Sequence, residues 1–110
     1  MESYILIAEK TLSFEILKNL MQKQFTCYDV GNARLTVERG DEHIFIDFDD
    51  DMREDYDDEK IRNSDSHFFA VSYSSKEFVK SVISELKEIP ILVDNDDGTI
   101  LPIKDFLSSS

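Results

Sequence analysis

Cysteine, proline, glycine and tryptophan are scarce in this chain of 110 residues, which has one, two, three and none of them, respectively. A single cysteine cannot form a disulfide within the chain, which suits a reducing compartment. The three glycines fall in turn-like segments, so no glycine-rich phosphate cradle is present. No apolar run approaches the roughly 18 residues of a membrane span, and no signal-peptide pattern opens the chain. We therefore expect a cytoplasmic protein with no membrane partner.

Basic residues are also few. Twelve Lys and Arg stand against twenty-four Asp and Glu, which leaves a net charge of −12. Direct binding to nucleic acid is disfavoured, because such binding needs clustered positive charge. With 41% hydrophobic residues, the chain has enough apolar material for one core. We predict a single acidic domain spanning residues 1–110.

The spacing of apolar residues predicts two helices. The first follows a capping hydroxyl at Thr11 or Ser13 and ends near Phe25. The second begins at a capping box formed by Ser74 and Glu77 and cannot continue through Pro90. Its apolar positions recur at helical spacing, which makes it the clearest element of the chain.

Strand patterns fill most of the remaining chain. A short apolar run at residues 4–8 is typical of a strand buried on both faces, and alternation begins again at Thr26. Further strands are predicted at residues 35–37, 43–49, 67–73, 91–93 and 99–101, the last two forming a hairpin. The order predicts an α+β fold: a mixed or antiparallel sheet of five to seven strands with two amphipathic helices packed on one face.

The segment "IDFDDDMREDYDDE" at residues 46–59 is almost continuously anionic. Between Asp47 and Glu59 there are nine acids and one base, Arg53, for a net charge of −8. Ile44 and Ile46 must face the core, because an unpaired carboxylate there would cost several kcal/mol. The acidic segment is therefore predicted to start on the outer face of a strand and to continue into a loop.

Two interpretations of this segment stay open: a solvated acidic loop, or a surface that recognises a cationic partner. Aromatic and methionine side chains among the acids favour recognition, since interface centres combine such residues with a charged rim. The predicted partner-binding residues are the acids Asp47, Asp49, Asp50, Asp51, Glu54, Asp55, Asp57 and Asp58, the packing anchors Met52 and Tyr56, and a secondary patch of Asp94, Asp96 and Asp97.

Metal and catalytic sites are weakly indicated. Alternating aspartates can bind Ca²⁺ or Mg²⁺ weakly, but the stretch Asp94–Gly98 lacks both end ligands of a calcium loop. "IFIDFDDDM" resembles the nucleophile strand of haloacid-dehalogenase phosphatases over nine residues, yet the chain is too short for that doubly wound domain. Cys27, His43 and His67 sit in no catalytic or zinc-binding motif. We predict no catalytic residue, no metal and no cofactor.

In length, acidity and order of elements, the whole chain resembles the immunity proteins of bacterial polymorphic and contact-dependent toxin systems. The resemblance lies in size, charge and layout, and no sequence motif carries it. It implies an antidote, not an enzyme, that binds a cognate toxin domain, often a basic nuclease, and blocks its active surface. The alternative is a small acidic regulatory or protein-interaction module without a toxin partner. Nothing in the sequence predicts an oligomeric state.

Overall fold

A computed structural model describes residues 2–95 and 98–108 of the chain. The elements are β1 (Glu2–Ala8), α1 (Phe14–Gln24), β2 (Thr26–Gly31), β3 (Arg34–Arg39), β4 (Glu42–Phe48), a 3₁₀ helix (Asp50–Asp55), α2 (Glu59–Arg62), β5 (His67–Tyr73), α3 (Lys76–Ser84), β6 (Ile91–Asp94), β7 (Ile100–Pro102) and α4 (Ile103–Ser108). Seven strands form one sheet in the order β2-β3-β4-β5-β1-β6-β7. All neighbouring strands are antiparallel. The predicted α+β class is confirmed.

The main core lies between one face of this sheet and the helices α1 and α3. Alternate strand residues point into it, as the period of two requires. α1 and α3 each contribute a stripe at helical spacing, and α4 covers the end near β6 and β7. The fully buried residues of the main core include Leu6, Ala8, Leu35, Val37, Ile44, Ile46, Phe69 and Val71 from strands, Leu17 and Met21 from α1, and Phe78, Val79, Val82 and Ile83 from α3.

Serine side chains begin both long helices. Ser13 Oγ accepts a hydrogen bond from the Ile16 N–H at 3.3 Å, as one of the two predicted caps. In α3 the cap is Ser75, whose Oγ accepts from the Phe78 N–H at 3.2 Å. The capping box predicted at Ser74 is therefore wrong by one residue. Two adjacent serines offer the same hydroxyl, and the sequence alone does not distinguish them.

A second, smaller core lies on the opposite face of the sheet. Ile7 from β1, Phe68 from β5 and Ile61 from α2 form its buried centre. The 3₁₀ helix and α2 cover this face, although the sequence predicted only a loop there, and β1 is buried on both sides as expected. The acidic segment thus contributes part of a hydrophobic layer. A further helix, α4, was also missed.

The turn between β2 and β3 contains backbone strain. Gly31 pairs with Arg34, which leaves Asn32 and Ala33 as a two-residue hairpin loop. Both have positive φ, 54° and 58°. A type I′ turn requires this at both central positions, where glycine is preferred at the second. An L-alanine in this region costs about 1–2 kcal/mol.

Ala33→Gly is therefore expected to raise the free energy of unfolding by about 0.5–1 kcal/mol, because the relieved strain exceeds the extra chain entropy of glycine in the unfolded state. Urea denaturation measures it. The matched control is Ala70→Gly in β5, where φ is not positive and the same exchange should destabilise by about 0.5–1 kcal/mol. Equal effects of the two substitutions would contradict the turn assignment.

Candidate functional site

The acidic segment begins with a carboxylate that is already paired. Asp47 on β4 lies opposite Arg34 on β3, and its two oxygens accept hydrogen bonds from Arg34 Nε and Nη2 at 2.6 and 3.0 Å. Hydrogen bonding and charge attraction from Asp47 raise the pKa of Arg34. The guanidinium also lies 5.1 Å from the ring centroid of Phe45. Asp47, one of the predicted partner-binding acids, forms a bidentate cross-strand pair with Arg34.

The next acids fasten the 3₁₀ helix to β5. Asp50 Oδ1 accepts a hydrogen bond from the Phe68 N–H at 3.0 Å, and Asp50 Oδ2 lies 2.9 Å from His67 Nδ1. Asp49 caps the 3₁₀ helix by accepting from the Asp51 N–H at 3.0 Å. Asp50 is therefore a structural carboxylate, while Asp49 keeps an exposed side chain.

Arg53 connects the 3₁₀ helix to the segment that precedes β5. Its Nε donates to the Asp50 carbonyl at 3.0 Å, and Nη1 and Nη2 donate to the carbonyls of Ser64 and Ser66, both at 2.7 Å. The guanidinium carbon lies 5.3 Å from the ring centroid of Phe68. The sequence showed Arg53 only as a lone positive charge. The one feature of the sequence that could have indicated a structural role for Arg53 is its position as a single base among nine acids, ahead of a serine-containing connecting segment.

Met52 and Tyr56, predicted as packing anchors for a partner, pack against the chain's own second core. Both are half-buried against the second core, and the Tyr56 ring centroid is 5.7 Å from that of Phe68. Tyr56 Oη donates to Asp94 Oδ2 at 2.6 Å. This hydrogen bond joins the two acidic stretches that the sequence treated as separate patches.

A cavity of about 230 Å³ opens at this junction, lined by Ile5, Met52, Asp55, Tyr56 and Asp94. Its lining combines the side chains of Ile5, Met52 and Tyr56 with the carboxylates of Asp55 and Asp94. Ile5 was not predicted to belong to the site. The apolar run in β1 could have indicated a role for Ile5 at this surface, since a strand that is apolar on both faces must contact a second layer. The arrangement suits an aliphatic stem that ends in a positive charge.

The remaining acids form an outward-facing rim. Asp51, Glu54, Asp55 and Asp57 are exposed, and no Lys, Arg or His side chain of the described residues lies within 4.0 Å of their carboxylates. Asp58 is also exposed and caps α2 by accepting from the Lys60 N–H at 2.9 Å. Asp96 and Asp97, predicted as part of the secondary patch, lie outside the described residues.

The other predicted chemistry-bearing residues are dispersed. Burial raises the pKa of the half-buried Cys27 thiol. His43 Nε2 lies 3.2 Å from a Glu38 carboxylate oxygen, far along the sheet from the pairing of His67 with Asp50. Within residues 2–95 and 98–108, no group of three or more His, Cys, Asp and Glu side chains is arranged to hold a metal ion.

Comparison with known proteins adds no family to this geometry. The chain matches no protein-family model, no curated protein and no solved structure. No helix of the described residues has the length and apolar character needed to cross a membrane. The class defined by the fold is thus an α+β domain with a seven-stranded antiparallel sheet.

Replacing Arg53 by Lys is expected to lower the free energy of unfolding by about 2 kcal/mol, because lysine keeps the charge but cannot reach three carbonyls in a fixed fork. Denaturant titration followed by circular dichroism measures the loss. Arg62→Lys on α2 is the matched control, since Arg62 is exposed, and it should change stability by less than about 0.5 kcal/mol. Similar small changes in both variants would mean that the Arg53 contacts do not hold the segment.

Proposed function

We propose that this chain is an immunity protein of a bacterial toxin system, which binds and inhibits a cognate basic toxin domain through its acidic surface. The observation that carries the proposal is the Tyr56–Asp94 hydrogen bond of 2.6 Å, which joins the two acidic stretches around one cavity. The binding surface consists of the outward-facing rim and this cavity.

The rim supplies long-range attraction. Exposed carboxylates of one sign speed the encounter with a positively charged partner, and they place negative charge where a nuclease would hold phosphates. Asp51, Asp55 and Asp57 have no cation within salt-bridge distance among the described residues, so their charge is available to a partner. Asp47 and Asp50 contribute less, since each is already paired with a base or with backbone.

The cavity supplies a specific contact. A lysine or arginine stem from the partner would lie on Ile5 and Met52, with its charged end beside Asp55 and Asp94. Such a contact removes apolar surface from water while the charge stays paired, which is how anchor residues at interface centres act. The proposed partner therefore presents at least one basic side chain near the centre of its surface.

The packing of the segment supports recognition over a solvated loop. Carboxylates on a mobile loop would lose conformational entropy on binding, whereas this segment is tied down by Arg53, Asp50 and the contacts of Met52 and Tyr56 with the second core. A surface that is held before binding loses less entropy when a partner docks. The acidic rim is therefore already arranged for its partner.

The test begins with capture of binding proteins on the tagged chain, from an extract of its own source, at low and high salt. Each captured protein is identified by mass and expressed alone in a bacterial host, with and without the chain. We expect one basic protein whose capture weakens with salt and whose expression stops growth unless the chain is co-expressed. A captured partner that never impairs growth would instead identify a regulatory module.

The rim is tested by the triple variant Asp51→Asn, Asp55→Asn and Asp57→Asn. Association with the captured toxin at low salt should slow at least about tenfold, with a smaller salt dependence, because steering charge is lost. The matched control carries Glu9→Gln, Glu85→Gln and Asp105→Asn, which neutralise three exposed acids elsewhere. Stopped-flow mixing measures both rates. Equal rates for the two variants would place the toxin contact away from the rim.

A further inference from the structure

The strand β2 (Thr26–Gly31) leaves one long edge of the sheet unpaired. Among the described residues it pairs only with β3, whereas β7 at the other end has three residues, one of them Pro102, and runs directly into α4. An unpaired strand edge presents backbone N–H and C=O groups that another strand can bind. Proline and short length protect the β7 edge, and neither protects β2.

β2 also carries exposed apolar side chains. Val30 is 56% exposed and Tyr28 is 51% exposed, which makes them the two most exposed large hydrophobic residues of the described chain. Both residue types favour strands. Exposed hydrophobic side chains next to unpaired backbone mark this edge as an association surface.

The features that could block strand pairing here are limited. A bulge between Asp29 and Gly31 disturbs the far end of β2, while the residues from Thr26 to Asp29 keep regular register with β3. The Asp29 carboxylate accepts hydrogen bonds from the Gly31 N–H at 3.0 Å and from Lys18 Nζ at 3.3 Å. Its charge is therefore paired within the same copy of the chain.

The charge around β2 favours a second copy of this chain over a basic partner at this edge. The elements at this edge, α1, β2 and β3 (residues 14–39), contain three acids and four bases, so the edge is close to neutral although the whole chain carries −12. A strongly basic partner gains little attraction at a neutral edge, whereas two copies of this chain meet least repulsion there. The segment that carries the acidic rim packs over β5 and β1, which lie three and four strands away from β2 in the sheet order.

We propose that two copies of this chain associate through β2, which pairs antiparallel with β2 of the second copy about a twofold axis. Two seven-stranded sheets then form one continuous sheet, and each copy places Tyr28 and Val30 beside the same strand of the other. This inference does not rest on the proposed function. It leaves the acidic rim of each copy open to a partner.

The mass in solution tests the association. Light scattering and sedimentation over a range of concentrations should show the 12.8 kDa chain forming a dimer. The double variant Tyr28→Lys and Val30→Lys should shift the equilibrium to monomer by at least tenfold in the dissociation constant, because it places like charges on both edges. The matched control is Leu92→Lys, another exposed apolar residue (37%) on the interior strand β6, and it should dimerise normally.

Hydrogen exchange on the unmodified chain locates the contact. In the dimer, amides of residues 26–31 should exchange more slowly as chain concentration rises, while other strands stay unchanged. Two outcomes would overturn the proposal. One is a wild-type chain that remains monomeric at millimolar concentration. The other is a dimer whose protected amides lie outside β2 and whose stability is unaffected by the lysine variant.

Discussion

Burial of the two central strands on both faces is the constraint on which the rest of the structure depends. β1 and β5 send Leu6 and Phe69 into the main core and Ile7 and Phe68 to the opposite side. The helices α1 and α3 cover only the first face. A second layer must therefore remove Ile7 and Phe68 from water, and the segment that does so is the most acidic part of the chain.

An acidic segment that covers a hydrophobic core must keep its carboxylates in water while it buries apolar side chains. It does so by directing the two kinds of side chain to opposite sides. Met52 and Tyr56 turn towards the second core, while Arg53 satisfies backbone carbonyls of the connecting segment. The exposed carboxylates point to solvent. The exposed carboxylates are thus carried by a segment that packs on the sheet through Met52 and Tyr56 and is bound to the connecting segment through Arg53.

The elements predicted well were those whose periodicity matches their environment. α3 has a complete apolar stripe, and β4 alternates cleanly between core and outer face, so sequence spacing alone identifies both. The 3₁₀ helix and α2 were missed because they are short and dominated by Asp and Glu, and their stabilisation comes from contacts with β5. α4 was missed for a related reason: its six residues are too few for a periodic signal, and its burial depends on β6 and β7.

By itself, the sequence determined the α+β class, the two long helices, the inward face of β4 and the concentration of negative charge at residues 47–59, since these follow from local spacing and composition. Only the tertiary structure decided which acids are structural. Asp47 and Asp50 are paired by residues 13 and 18 positions away, and Asp94 meets Tyr56 across 38 positions. Such long-range contacts depend on strand order and register, which no local pattern encodes.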